Sequence, residues 1–432
     1  VSSIEETGAR WKTPGLPSDW RRWIPWAALA LLLTYPFWYK LPPFSWVAID
    51  TLGMELDVVI LMLVYVMLAL GLNIVVGYAG LLDLGYVAFF ALGAYTIGWF
   101  ASDKFSGVSF AFLSNATPGA AGIHLNMWLV ILLGGAVAAV AGVIIGWPTL
   151  RLRGDYLAIV TLGFGEIIPD VFRNADKLPL PSGVSWSPPF IVFADVNLTN
   201  GVRGVRSLDR PGFGENLDSW TGGILPGRYS GIELKPWYFT IVAMVLITIF
   251  VIRRIERSKM GRAWIAIRED EIAASAMGVP LMRTKLWAYG IGAVFGGFVG
   301  AYYGSFVGSV FPTSFSFAIS IYVLVMVVVG GMGNIWGVVT GALVLEYLNF
   351  RGLEKIGEGI NNGIDLFGID QAVDIPRYKQ LIFGLLLVSM MVLRPEGLLP
   401  SARRKAELHE AEEQGEPDVY DDLYDVRREG AT

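Results

Sequence analysis

Ten predominantly apolar runs recur along the chain, at 25–39, 56–76, 84–101, 126–146, 156–172, 237–252, 286–307, 315–330, 335–350 and 380–394. A helix of about twenty apolar residues crosses the hydrocarbon of a bilayer. The pattern therefore predicts an all-α polytopic integral membrane protein with about ten transmembrane helices. The first, sixth and ninth runs are short, so some spans are expected to be tilted, broken or re-entrant. One stretch departs from the pattern. Residues 253–285, RRIERSKMGRAWIAIREDEIAASAMGVPLMRTK, are basic and amphipathic. On a 3.6-residue period Met260, Trp264, Ile267, Glu271 and Ala274 share one face, with Arg262, Glu269 and Asp270 off it. Gly278, Val279 and Pro280 then stop the helix. This reads as a cytoplasmic docking helix for a partner that supplies energy.

Lysine and arginine in short loops set orientation. With the N-terminal segment 1–24 inside, carrying Arg10, Lys12, Arg21 and Arg22, ten spans also place Arg151, Arg153, the 253–285 segment and Arg403, Arg404 and Lys405 inside. The 253–285 segment holds eight basic and four acidic residues. The acidic turn with Asp50, Glu55 and Asp57 falls outside. Adding or dropping one span would send some of these basic loops to the wrong side. The expected organisation is a cytoplasmic segment 1–24, a transmembrane permease domain 25–400 with an external loop at 173–236 and the cytoplasmic coupling loop at 253–285, and an acidic, disordered cytoplasmic tail at 401–432. Both termini are expected in the cytoplasm, since the start of the chain lacks a short basic start followed by an apolar run.

Composition sharpens this by exclusion. The formal net charge of −5 equals that of the 401–432 tail, which has ten acidic and five basic residues, so the body is electrically balanced and offers no basic stripe for nucleic acid. Without cysteine there are no disulfides and no zinc–thiolate or iron–sulfur sites. Two histidines, His124 in a loop and His409 in the tail, are expected to be solvated and to bind no metal. No GxxxxGK[ST] phosphate loop is present, so no nucleotide site and no cofactor are expected on this chain. No nucleophile and base pair suggests an enzyme.

Two stretches carry glycine where plain spans would carry leucine: GLNIVVGYAGLLDLGYVAFFALGAY at 71–95 and VVVGGMGNIWGVVTGALVLEYLNF at 327–350. Glycine permits close backbone approach and unwound chain, and unwound backbone at membrane depth is tolerated where it is buried in protein or lines an aqueous path. Paired interruptions in opposite halves of a chain point to a central transport site. The expected pathway residues are Gly77, Gly80, Asp83, Gly85, Gly330, Gly331, Gly333 and Asn334, with Asp83 and Asn334 capping restarted helices. Glu166, Asp170 and Glu346 sit near span ends, where they are expected to be wetted.

Four blocks in order resemble the permease family of bacterial branched-chain amino acid ABC transporters, in its LivM-type branch: residues 71–95, PTLRLRGDYLAIVTLGFGEI at 148–167, GRAWIAIREDEIAASAMGV at 261–279 and VVVGGMGNIWGVVTGAL at 327–343. The third is similar to the coupling loop of ABC permeases, whose recurring acidic residue, alanines and glycine correspond to Glu271, Ala273, Ala274 and Gly278. The resemblance implies an importer of leucine, isoleucine and valine or other small neutral amino acids in the bacterial plasma membrane. It further implies that Met260, Trp264, Ile267, Glu271, Ala273, Ala274 and Gly278 meet an ATPase. The implied partners are a second homologous permease, two ABC ATPase subunits and an extracytoplasmic solute-binding protein. A urea or short-chain amide permease of the same family, and an ATP-independent secondary transporter, are the alternatives. The 173–236 loop and the tail are longer than the family pattern.

Overall fold

A computed structural model describes residues 30–42, 45, 53–107, 109–112, 121–152, 154–176, 197–212, 229–365, 375–394 and 396–399. The expected segment 1–24, much of the 173–236 loop, His409 and the tail lie outside these. The chain divides into two units, Val1–Leu56 and Asp57–Thr432. In the first, helix α1 (30–38) carries stacked Tyr35 and Tyr39, and the Tyr35 hydroxyl donates to the Met54 carbonyl.

The second unit begins within α2 (Leu56–Asn73), which runs on through a π-helical turn at Ile74–Tyr78. Then come α3 (Val87–Phe100), strands β1 (Ala101–Ser102), β2 (Ser109–Phe112) and β3 (Gly122–Leu125), and helices α4 (Met127–Thr149) and α5 (Asp155–Asn174). Strand β4 (Val205–Arg206) precedes α6 (Lys235–Glu256), the short pair α7 (Lys259–Glu269) and α8 (Glu271–Ala276), and the long α9 (Leu281–Val307). After β5 (Ser309–Val310), helices α10 (Phe317–Gly330), α11 (Ile335–Tyr347), α12 (Leu353–Asp365) and α13 (Lys379–Leu393) complete the order. Every predicted apolar run contains a helix, and its described non-helical residues lie within three positions of its ends.

Length separates these helices. Among the described residues, six are long and apolar enough to cross a membrane: Leu56–Tyr78, Met127–Thr149, Lys235–Glu256, Leu281–Val307, Pro312–Gly330 and Ile375–Leu393. The sixth predicted run, read as short, is a 22-residue helix because lysine, proline and arginine at its ends extend it beyond the apolar stretch. Helix α3 has only 14 residues and α11 only 13. At 1.5 Å per residue α3 falls short of the roughly 30 Å hydrocarbon core, whereas α11 continues through a π-helical turn at Leu348–Gly352 directly into α12. Helix α5 is long enough, but Glu166, Asp170 and Arg173 make it amphipathic.

The core is α3, α4 and α9, packed backbone to backbone. A Cβ on Gly93 would stand 2.1 Å from the Gly297 carbonyl oxygen, and one on Gly297 would stand 2.4 Å from that of Gly134. These glycines serve helix contact, which in a membrane relies on small residues rather than on exclusion of water.

Contacts sort the loops into two ends. At one, β1 pairs antiparallel and β2 parallel with β3, while β4 pairs antiparallel with β5. These short strands are additions to the expected all-α fold. Here His124 corrects the expectation of a solvated loop residue: it lies in β3 and is 2% exposed. Its Nδ1 lies 2.8 Å from Asp209 Oδ2, and its Nε2 faces the Ala121 carbonyl at 3.2 Å and Asp103 Oδ1 at 3.5 Å. Burial alone would lower the imidazole pKa, but the Asp209 carboxylate, the Ala121 carbonyl and Asp103 outweigh it and hold it above its ordinary value. Glu346 is also corrected. It is fully buried rather than wetted, beneath Tyr322, because α11 folds back against α10 and closes over it.

Candidate functional site

At the other end lies the 253–285 segment, built in two pieces. Ser258 caps α7, its Oγ accepting from the Met260 and Gly261 amides at 3.2 and 3.3 Å. The helix stops at Asp270, whose Oδ1 accepts from the Ile272 and Ala273 amides at 2.7 and 3.1 Å and so starts α8 afresh. A carboxylate free to bond nearby amides competes with helix continuation and favours a cap. Helix α8 ends where Gly278 takes φ +84° and the Val279 amide bonds back to the Ala274 carbonyl at 3.1 Å. The stop expected at Gly278 is therefore where the chain places it.

The apolar face read from the periodicity turns inward. Trp264 is 1% exposed and its indole N–H donates to the Thr284 carbonyl at 2.8 Å, while Ile267 and Ala274 are buried. Glu271 forms an ion pair with Lys285. Met260 and Glu271 are half-buried, and of the seven residues expected to meet a partner only Ala273 and Gly278 are exposed. An apolar stripe packs on the nearest apolar surface, here the start of α9. The break at Asp270 then shifts the phase, so α8 presents a different set outward. Ile272 is 72% and Met277 85% exposed.

The glycine stretches meet this segment. In the π-helical turn, a Cβ on Gly77 would stand 2.0 Å from Asn73 Oδ1 and 2.6 Å from the Gly333 amide nitrogen, so the two stretches touch through backbone. Asn73 Oδ1 accepts from that Gly333 amide at 2.9 Å. Arg268, on α7, joins them: its Nη1 donates to the Gly77 carbonyl at 2.5 Å. Gly80 turns the chain at φ +67°, and a Cβ there would stand 2.8 Å from Arg268 Cγ. The π-helical turn ends α2, so its last carbonyls lie beyond the helix's own hydrogen bonds and are open to outside donors.

The remaining expected pathway residues form two further groups. Gly330 serves the α10–α11 hairpin, where a Cβ would stand 2.4 Å from the Gly337 carbonyl oxygen. Gly331 turns the chain, and Asn334 caps α11 as expected, accepting from the Trp336 amide at 3.1 Å. Asn334 also donates to the Leu399 carbonyl at 2.8 Å, while Leu398 and Leu399 bond to the Val329 and Gly330 carbonyls. Asp83 is buried and differs from its expected role. Its Oδ1 accepts from Gly85, two residues before α3, and the first α3 amide, Val87, donates instead to Ser320 Oγ at 3.0 Å. Gly85 lies against the Thr161 carbonyl of α5.

Over residues 54–391 the chain matches the family described as branched-chain amino acid transport system, permease component. The chain belongs to this family. The permease is 36% identical over 369 residues to the high-affinity branched-chain amino acid transport system permease protein LivM of Salmonella typhimurium, covering 84% of this chain and 74% of that one. A probable LivM of Methanocaldococcus jannaschii is 24% identical over 80% of this chain and 94% of its own. The high-affinity permease protein LivH of Escherichia coli is 26% identical over 78% of this chain and 91% of its own. No solved structure matches the permease. Family membership and the apolar helices make it a multi-pass protein of the bacterial inner membrane, and a permease subunit is not an enzyme in itself.

Sequence reasoning missed Arg268, Asn73 and Ser320. Nothing in the spacing distinguishes Arg268 from the other basic residues of its segment. Asn73 did carry a signal, because an amide inside a long apolar run needs a partner in the bundle.

Proposed function

We propose that this permease is the transmembrane subunit of an ATP-driven importer for branched-chain amino acids, leucine, isoleucine and valine, or other small neutral amino acids. The observation that carries this is its 36% identity over 84% of the chain to a LivM protein named for that transport. The E. coli LivH match supports a second homologous permease as partner. In this reading two ABC ATPases hold ATP and Mg, and an external solute-binding protein delivers substrate. The end with residues 253–285 faces the cytoplasm, as do both termini, and α1, α3, α5 and α11 complete ten spans with the short ones broken or tilted.

The ATPase meets α8 from below. Ile272, Ala273, Met277 and Gly278 form its contact, while Trp264, Ile267, Ala274 and Glu271 hold the segment to the bundle and Met260 lies between. Exposed apolar side chains on a short, rigidly capped helix suit insertion into a cleft. The glycine stretches around Gly77 and Gly333 then form the inner end of the pathway. Hydrolysis biases that end between open and closed states by moving α8.

Affinity purification of the tagged chain from native membranes tests the assembly: the expected result is an ATPase and a second permease in near-equal amounts. Recovery of the chain alone would contradict it. Competition of leucine uptake by isoleucine, valine and urea in the reconstituted complex tests the substrate, with displacement by isoleucine and valine and none by urea expected.

A further inference from the structure

We propose that Arg268 is the strut that transmits movement of the docking segment to both glycine stretches, a positioning role that rests on the ATP-driven reading above. Three contacts define it. The aliphatic stem lies flat on the turn at Gly80, where a Cβ would stand 2.8 Å from Cγ and 3.2 Å from Cβ of Arg268. Nη1 donates to the Gly77 carbonyl at 2.5 Å. The same nitrogen reaches the second stretch, since a Cβ on Gly333 would stand 3.1 Å from it. One side chain on α7 thus touches both halves of the membrane domain where Asn73 already ties Gly77 to Gly333.

The other end of the strut is held stiffly. Trp264 is fixed to Thr284 one turn earlier in α7, and Glu271 of α8 is paired with Lys285. Both anchors lie at the start of α9, so α7 and α8 follow any tilt imposed there, and Arg268 follows with them. The chemistry favours arginine. A guanidinium stays charged at any working pH, and its planar fork with five donors reaches a carbonyl while its stem packs on a turn. Glycine at 80 leaves space for the stem and glycine at 333 for the guanidinium, while glycine at 77 lets Asn73 and the Gly333 backbone close in. Withdrawal of Arg268 would release the Gly77 carbonyl in the last turn of α2, where carbonyls lack partners within the helix, and leave Asn73 alone to hold the two stretches together.

The absence of cysteine from the chain provides a reporter. Val76, in the π-helical turn, is 5% exposed, so a Val76→Cys protein should react slowly with a water-soluble maleimide. In the importer assembled with its ATPases in nanodiscs, Arg268→Gln should raise the nucleotide-free labelling rate by about tenfold, the shift expected when one charge-assisted hydrogen bond is lost. Leucine taken up per ATP hydrolysed should fall while hydrolysis continues, and Arg268→Lys should give intermediate values. A merely structural residue would lower thermal stability and leave uptake per ATP unchanged. Parental labelling and parental uptake per ATP in Arg268→Gln would overturn the proposal. If that variant does not assemble, Arg268→Lys carries the test: intermediate labelling supports the strut and parental labelling overturns it. Failure of the ATP-driven reading would show separately, as a parental protein whose uptake ignores ATP, and the nucleotide-free labelling contrast would still decide the role of Arg268.

Discussion

The two ends of this permease are built by different rules. The end with His124 is closed by paired strands and by a buried imidazole whose two nitrogens both face acceptors. The end with residues 253–285 is closed by glycine-to-backbone contact, a π-helical turn and one arginine. Among the described residues, buried side-chain atoms without a hydrogen-bond partner in the protein occur near that second end, at Asn73 Nδ2 and Tyr78 Oη, and away from it, at Tyr95 Oη and Glu346 Oε2. On the proposed reading, movement enters at the arginine end and the strand-built end gives fixed support.

Several substitutions would break or sharpen this contrast. Trp264→Ala removes a fully buried indole and its bond to Thr284. It should cost about 3–5 kcal/mol, as large aromatic truncations do, visible as a lowered melting temperature together with lost uptake. Gly77→Ala forces a methyl onto Asn73 and the Gly333 backbone and should cost about 1–3 kcal/mol as overpacking does, with uptake reduced at the same protein level. Its control is Gly107→Ala at the other end, where a Cβ meets nothing within 4 Å and melting and uptake should both match the parent. Met277→Asp should leave the melting temperature of the isolated chain unchanged but weaken co-purification of the ATPase.

The smallest effect concerns pH. His124 has its pKa raised above the unfolded value by Asp209, Ala121 and Asp103 against the opposing effect of burial. Its contribution to stability is therefore complete below the unfolded imidazole pKa and is lost as pH rises through the folded one. Melting of the isolated chain should fall modestly across that window, and His124→Gln should flatten the profile. A profile in His124→Gln identical to the parental one would remove the ion pair from the account.

Legibility in the sequence followed locality. The apolar runs, the stop at Gly278 and the cap at Asn334 depend on residues within a few positions of one another, and each stands where it was expected. Long-range features did not show. Arg268 and Gly77 are 191 residues apart, as are Val87 and Ser320 by 233 and His124 and Asp209 by 85. Periodicity identified the amphipathic face at Trp264, Ile267 and Ala274 but could not say whether a partner or the chain's own α9 covers it. The restart at Asp270 was not read from the sequence, which placed that residue only off the apolar face, so a single helical wheel drawn through it mixed two helices. The glycine stretches were visible as glycine, but the division into packing at Gly330, turning at Gly331 and cross-chain contact at Gly77 required the fold.

The central claim is that work enters through the 253–285 segment from ATP held elsewhere. Purified complex in proteoliposomes, supplied with solute-binding protein and labelled leucine, tests it by comparing uptake with ATP and with a non-hydrolysable analogue. Accumulation above the external concentration with ATP alone, abolished by removing the ATPase subunits, is the predicted result. Equal accumulation with the analogue, or by this permease after the ATPases are stripped away, would contradict the account.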